Sequence, residues 1–356
     1  MNIQENTLLK EPPQLKGIDF ARNEIEEIVK NNQILRCSIE VSKTCNLRCP
    51  FCYANAGIKR DGEMTFDEIV QVIKQAKSAG AKTITVLGGE PLIYSRIREL
   101  IDFINDNGLT TLMFTNGTVV TQELADFLFN HNVSVIVKFN SFDDPQIQES
   151  MVGNVPGVFV KIRETMDLLI KAGFNKSNPT RLGIETVITH ENLAQIPKIF
   201  RFTRQNNIYP YIELVSPAGR GKEYEGMLSQ EEAKDIFYKL LKIDEKEFGF
   251  TWIPRPPQVA ASCKYYFTSV YIEAYGRVQP CPGVVIELGN VKVESLIKIL
   301  KKPNTIKLRN IRTNIKGKCK NCYLHDFCYG CRSAAFNITG DINAADPICW
   351  VQQTNM

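Results

Sequence analysis

Histidine is scarce in this chain. Only His131, His190 and His325 occur among its 356 residues, so metal sites built on imidazole are nearly excluded. Long apolar runs are also missing: none approaches the ~20 residues that span a bilayer. The N-terminus, Met1 to Pro13, is polar, carries Glu5 and Glu11, and lacks a charged-then-apolar signal pattern. Charge of one sign is lacking as well. The 43 basic residues face 39 acidic ones, a net +4, too mild to indicate nucleic acid, and no basic run stands out. No low-complexity segment occurs, and no repeat beyond alternating strands and helices. These absences leave a cytoplasmic enzyme, with one large core or one large and one small.

Cysteine is what the chain has in plenty: eleven residues. In a reducing compartment, disulfides are disfavoured and metal sites favoured. The odd count and tight C-x2-C spacings point the same way. Three cysteines lie in Cys45-Asn46-Leu47-Arg48-Cys49-Pro50-Phe51-Cys52-Tyr53, just after the apolar run Ile34 to Val41. Three thiolates in eight residues must curl round one object. A lone zinc wants a fourth protein ligand, and no other Cys or His lies nearby. A [4Fe–4S] cube is held by thiolates, and three of them leave one iron open for something that reacts. Cys37, inside the preceding strand, reads as a small buried hydrophobe.

This stretch, with Phe51 before its last cysteine, resembles the signature of the radical S-adenosylmethionine (SAM) enzymes. Gly88-Gly89-Glu90-Pro91 resembles that family's second segment. Residues 263–349 resemble its SPASM extension, which carries auxiliary iron–sulfur clusters. The resemblance implies that Cys45, Cys49 and Cys52 hold a [4Fe–4S] cluster whose fourth iron chelates SAM. Reduction would then break the sulfonium C–S bond, and the 5′-deoxyadenosyl radical would abstract hydrogen from substrate, the cofactor carrying the hard step. Phe51 would pack near adenine. Gly88 and Gly89, lacking Cβ, would let the backbone approach SAM, and Glu90 would accept hydrogen bonds from its ammonium. Asn116 would belong to the same cofactor-binding set. Relatives contact the ribose with Ser and Asp where this chain has Lys138 and Asn140, so that role transfers loosely. Arg220, in Pro217-Ala218-Gly219-Arg220-Gly221, would hold a carboxylate of SAM or substrate, or else sit in a surface turn.

The rest of the chain alternates. Residues 1–33 read as a lead-in with one helix near Arg22–Lys30. Strands are expected at 36–41, 83–87, 110–114, 133–139, 182–188 and 211–215. Helical patterns stand between them; one opens with the capping box Thr65-Phe66-Asp67-Glu68. Strand–helix alternation implies parallel βαβ units, here a partial (β/α)6 barrel over 34–225, as the resemblance also implies. In such folds chemistry sits at the C-terminal strand ends. The marked segments fall there: the cysteine loop, Gly88-Gly89-Glu90, Thr115-Asn116-Gly117, Asn140-Ser141, Thr189-His190 and Ser216 to Arg220. Glu185 and Glu213 each follow an Ile inside an apolar strand. Such a carboxylate must be paired or functional, and Lys138 would be costly inside the barrel unless paired. Glu185 and Glu213 are the candidate acid–base groups. His190 is a third, or a surface residue at a strand end.

A connector over 226–262 ends in the Pro-rich Ile253-Pro254-Arg255-Pro256-Pro257, a boundary signal. The module over 263–356 holds Cys263 and Cys281, then Cys319, Cys322, Cys328, Cys331 and Cys349. Zinc ribbons space their pairs more widely, and seven cysteines do not divide into fours. By resemblance, Cys319, Cys322, Cys328 and Cys349 ligate a distal auxiliary [4Fe–4S] cluster, and Cys263, Cys281 and Cys331 a proximal one. The proximal set is one cysteine short, which leaves its cluster type open.

The resemblance implies a radical SAM oxidoreductase or maturase that abstracts hydrogen from a natural product or peptide, with auxiliary clusters handling electrons. A flavodoxin or ferredoxin would supply the electron. Nucleic acid and membrane are not expected as partners. Only 44 residues precede Cys45, which weakens a leader-peptide-binding role. The alternatives are an iron–sulfur electron-transfer protein, a zinc scaffold, or an enzyme of tetrapyrrole or sugar modification.

Overall fold

The computed structural model describes residues 12–58 and 61–351. The first eleven residues of the expected lead-in therefore lie outside the described residues. The strands are β1 (Arg36–Glu40), β2 (Thr83–Leu87), β3 (Thr110–Thr115), β4 (Ser134–Lys138), β5 (Leu182–Ile188), β6 (Tyr209–Leu214), β7 (Ser269–Ile272), β8 (Arg277–Gln279) and β9 (Gly289–Asn290). They form one sheet in the order β6-β5-β4-β3-β2-β1-β7-β8-β9. From β1 to β6 neighbours are consecutive and parallel, each returning through at least one helix. This is the partial (β/α)6 barrel.

The strands work through their period of two. In β1, Cys37 and Ile39 join the main hydrophobic core, while Arg36 and Ser38 line the barrel interior. The helices cover the outer face. Phe66–Ser78 starts at Thr65, whose hydroxyl accepts the Glu68 N–H at 3.2 Å while Glu68 accepts the Thr65 N–H at 2.7 Å. It buries Ile69, Val72, Ile73 and Ala76. Ile97–Asp106, Gln122–Asn130, Val158–Ala172 and Ile196–Gln205 add their apolar stripes to the same core.

The expected boundary at residue 263 is not a boundary in the sheet. β7 pairs with β1 in parallel, from Arg36 opposite Ser269 to Ile39 opposite Ile272, and β8 and β9 follow antiparallel. The Pro-rich connector is tied to β6: Leu214 donates to the Pro257 carbonyl at 3.0 Å and Val259 to Ile212 at 2.9 Å.

The expected absence of a basic run also needs correction. Residues 295–325 hold nine Lys and Arg and no Asp or Glu; the whole-chain balance hides them. Part of this charge turns inward, since Arg309 donates to the carbonyls of Gln33 (2.5 Å) and Phe267 (2.8 Å). Among the described residues no helix is long and apolar enough to cross a membrane.

Candidate active site

The loop after β1 is held from several sides. Cys45 donates to the Gly57 carbonyl at 2.8 Å, and Arg48 to Val152 at 3.0 Å. Lys43 reaches the Ala54 carbonyl at 3.1 Å and pairs with Glu40 at 2.6 Å. Glu40 is fully buried and also accepts from the Tyr271 hydroxyl and the Ala274 N–H. β7 thus helps anchor the loop. Arg220 donates to the carbonyls of Cys49 (2.9 Å) and Ala56 (2.8 Å) and to Asn55 Oδ1 (3.1 Å). Its guanidinium is spent on the loop rather than lying in a free surface turn.

The glycines serve a closer approach than that of a ligand. A Cβ on Gly88 would stand 2.5 Å from the Ser42 carbonyl oxygen, and one on Gly89 2.0 Å from that of Thr44. The segment after β2 lies against the backbone leading into Cys45, with Gly89 donating to Ser42 and Glu90 to Thr44, both at 2.8 Å. The Glu90 carboxylate accepts from the Thr115 hydroxyl (2.7 Å), the Asn116 N–H (2.6 Å) and the Leu92 N–H (2.9 Å). Burial raises its pKa against these donors. Oε2 carries one of those bonds, and a carboxylate oxygen can accept two. Asn116 turns its side chain to Asn46, 2.8 Å away.

A cavity of about 280 Å3 opens at this end of the barrel. Cys45, Cys49 and Cys52 line it, and so do Cys263, Cys281 and Cys331 from the C-terminal module. Phe51, Gly88, Gly89, Glu90, Asn116 and Arg220 share the lining. From the inner strand faces come Lys138, Glu185, Tyr211 and Glu213. Lys138 and Glu185 pair at 2.8 Å. Burial works against the Lys138 charge, but Glu185 and Cys49 outweigh it and its pKa rises. Burial, then the Glu185 carboxylate, pushes Glu213 up to about 8. Gln258 Nε2 is 3.4 Å from Glu213 Oε2.

Two expected residues lie elsewhere. β4 ends at Lys138, so Asn140 does not continue its inner face. Asn140 is fully buried, does not line the cavity, and accepts the Val187 N–H at 3.2 Å through Oδ1. His190 sits in a short 3-10 turn, its Nε2 3.0 Å from Glu232 and away from the cavity lining.

The auxiliary cysteines divide in space. Cys281 and Cys331 each lie within electrostatic reach of Cys263, and this trio lines the cavity. Cys328 and Cys349 lie within reach of Cys319 and stand outside the lining, as does Cys322. Asp346, fully buried, touches both sets: it accepts the Cys331 N–H at 2.6 Å and donates its own N–H to Cys319 Sγ at 3.4 Å. Sequence reasoning missed Asp346, although an acid three residues before a ligand-type cysteine is a legible signal. It also missed Glu40 and Lys43, which look like ordinary strand-end charges.

The residues fit iron–sulfur clusters. All eleven cysteines are free thiols. Backbone N–H groups point at the sulfurs of Cys45, Cys319, Cys328 and Cys331, at 3.3 to 3.4 Å, the contacts that tune cluster thiolates. Burial pushes Cys45 to about 11 and Cys49 to about 12, so thiolates at these two positions need bound positive charge. Among the described residues no three His, Cys, Asp or Glu side chains converge as ligands of one metal ion. A lone zinc needs such convergence; a cluster that takes each thiolate at a different iron does not.

The radical SAM superfamily model matches residues 39–203, and a SPASM model, described as an iron–sulfur cluster-binding domain, matches 263–323. The chain carries a radical SAM domain and a SPASM domain. It is an enzyme of the SPASM-bearing type, with SAM and iron–sulfur clusters as its cofactors. Among its relatives, an AdoMet-dependent heme synthase of Nitratidesulfovibrio vulgaris is 27% identical over 338 residues, covering 87% of this chain and 90% of that protein. The subtilosin biosynthesis protein AlbA of Bacillus subtilis is 23% identical over 313 residues, covering 85% and 68%. Streptococcus suis SuiB, solved with its precursor peptide SuiA, matches the radical SAM fold with a TM-score of 0.71 at 18% identity, over 93% of this chain and 80% of SuiB.

Proposed function

We propose that this radical SAM enzyme oxidises a carbon of a natural product or peptide held in the cavity shared by the two cysteine trios. The observation that carries this reading is that one space is lined by Cys45, Cys49 and Cys52 and also by Cys263, Cys281 and Cys331. A bound [4Fe–4S] cluster and SAM would supply a 5′-deoxyadenosyl radical that takes one hydrogen atom from the substrate. The first trio would hold that cluster; the second trio would hold an auxiliary one, next to the same space, to receive the remaining electron. Cys319, Cys322, Cys328 and Cys349 would hold a further cluster. Glu213, which burial and Glu185 push up to about 8, would exchange the accompanying proton. Phe51 and the Lys138–Glu185 pair shape the lining, and Glu90 keeps acceptor capacity for an ammonium group. The protein works in the cytoplasm, with a flavodoxin or ferredoxin as electron donor.

A second reading, tetrapyrrole modification, is favoured by the heme synthase similarity, which runs over nine-tenths of that relative. The test measures 5′-deoxyadenosine released by the anaerobically reconstituted, dithionite-reduced enzyme with host extract split by size. Stimulation by the peptide fraction assigns a peptide substrate, and stimulation by the small-molecule fraction a metabolite. No release with clusters intact overturns the oxidation reading.

A further inference from the structure

The fold holds a second cavity, separate from the one lined by the two cysteine trios. It measures about 590 Å3 and lies toward the opposite ends of the strands, where Arg36 opens β1 and Tyr209 opens β6. Arg36, Tyr211, Gln258, Cys263 and Tyr265 line both cavities, so the two spaces meet along that row. The rest of the lining is largely apolar: Trp252, Leu324, and the exposed Ile253 and Phe327.

Its charge is lopsided. Arg204 is neutralised by a two-point pair with Asp244, at 2.8 and 2.7 Å. Arg36, Arg255 and Lys264 make no ion pair among the described residues, and Asp19 is the single acid in the lining. Arg36 is the telling one. It is 8% exposed, bonds Ser269 Oγ at 3.1 Å and lies 4.9 Å from the Tyr265 ring centroid. A buried guanidinium that meets a hydroxyl and a ring, and shares its one carboxylate neighbour, Asp19, with Lys264 beyond ion-pair distance, leaves positive charge in excess. A guanidinium matches a carboxylate in two parallel hydrogen bonds.

We propose that this cavity holds the non-reacting part of the substrate, a bulky, mostly apolar carboxylic acid whose anionic group is bound by Arg36 and Lys264. The reacting carbon then reaches past the shared row into the upper cavity; this part rests on the oxidation reading given above. Binding energy gained remotely would serve to orient the reacting end.

The test uses two probes with the same aromatic body, the anion anilinonaphthalenesulfonate and neutral phenylnaphthylamine. Their binding to cluster-loaded enzyme is measured by equilibrium dialysis. The anion binds at one site, about tenfold tighter than the neutral probe, as one charge-assisted contact allows. Arg36→Gln and Lys264→Gln each weaken the anion about tenfold and leave the neutral probe unchanged, whereas Phe327→Asp weakens the neutral probe. Arg36→Lys restores part of the loss. Lys264 and Phe327 are exposed, so their variants stay folded, and iron content verifies this. The anion also suppresses extract-stimulated release of 5′-deoxyadenosine and leaves the slow release without extract intact. Equal binding of the two probes, or an anion affinity unchanged in both charge variants, overturns the anion site. Extract-stimulated release that the anion does not suppress overturns its use by substrate and leaves the oxidation reading standing. No release under any condition overturns that reading itself.

Discussion

Glu213 is an acid in a place that disfavours its charge. Its pKa lies above the ordinary carboxylate value because burial, then Glu185, oppose ionisation. The folded state therefore binds the proton more tightly than the unfolded chain. By linkage, stability falls as pH rises from the ordinary carboxylate range toward about 8. Glu213→Gln removes this penalty, so anaerobic melts should show the variant gaining on the parent as pH goes from 5 to 8. A constant difference across that range would contradict the assignment. Arg220 acts on the loop instead. Arg220→Ala leaves two loop carbonyls without their donor, at a cost of about 1–3 kcal/mol. Less iron at the first trio and slower SAM cleavage should follow, with auxiliary-cluster absorption retained; unchanged SAM cleavage would show that the loop needs no such clamp. The sequence marked Glu213 as a paired or functional carboxylate inside an apolar strand, but not Glu185 as the charge set against it. Arg220 was legible as important and not as a clamp, because its partners lie 164 to 171 residues earlier in the chain.

The strand ends were legible because β-branched and apolar runs alternate with helical stripes, and the cysteine loop because three thiols stand in eight residues. The glycine segment was half legible. Gly88-Gly89 signals close approach, but only the fold tells that the neighbour is the backbone of Ser42 to Thr44. Asn140 was placed by resemblance beside Lys138, but β4 ends two residues earlier and its side chain turns to the Val187 N–H of β5. Gly89→Ala tests this element directly. With a backbone oxygen 2.0 Å from the new Cβ, the segment after β2 must move off the loop. Melting should drop by several degrees and SAM cleavage by an order of magnitude or more, as small displacements cost in a positioned site. Wild-type behaviour would mean that the two segments separate freely.

At the scale of the molecule, the two matched families share one sheet. Cutting after residue 262 removes β7 to β9, bares the far edge of β1 and takes Tyr271 and the Ala274 N–H from Glu40. The fragment 1–262 should aggregate, as exposed parallel edges do; a soluble, SAM-cleaving fragment would refute this. The join was not legible because it links Arg36 to Ser269, more than 200 residues apart, across a stretch that reads as a linker. It also sets a clock. A ribosome releases β1 and the cysteine loop early, yet β7, which flanks β1 on the side away from β2, is made some ten seconds or more later at ordinary synthesis rates. Until then the loop lacks its finished support. Iron–sulfur loading of the N-terminal trio should therefore follow completion of the chain, and nascent chains stalled before residue 269 should accept little iron.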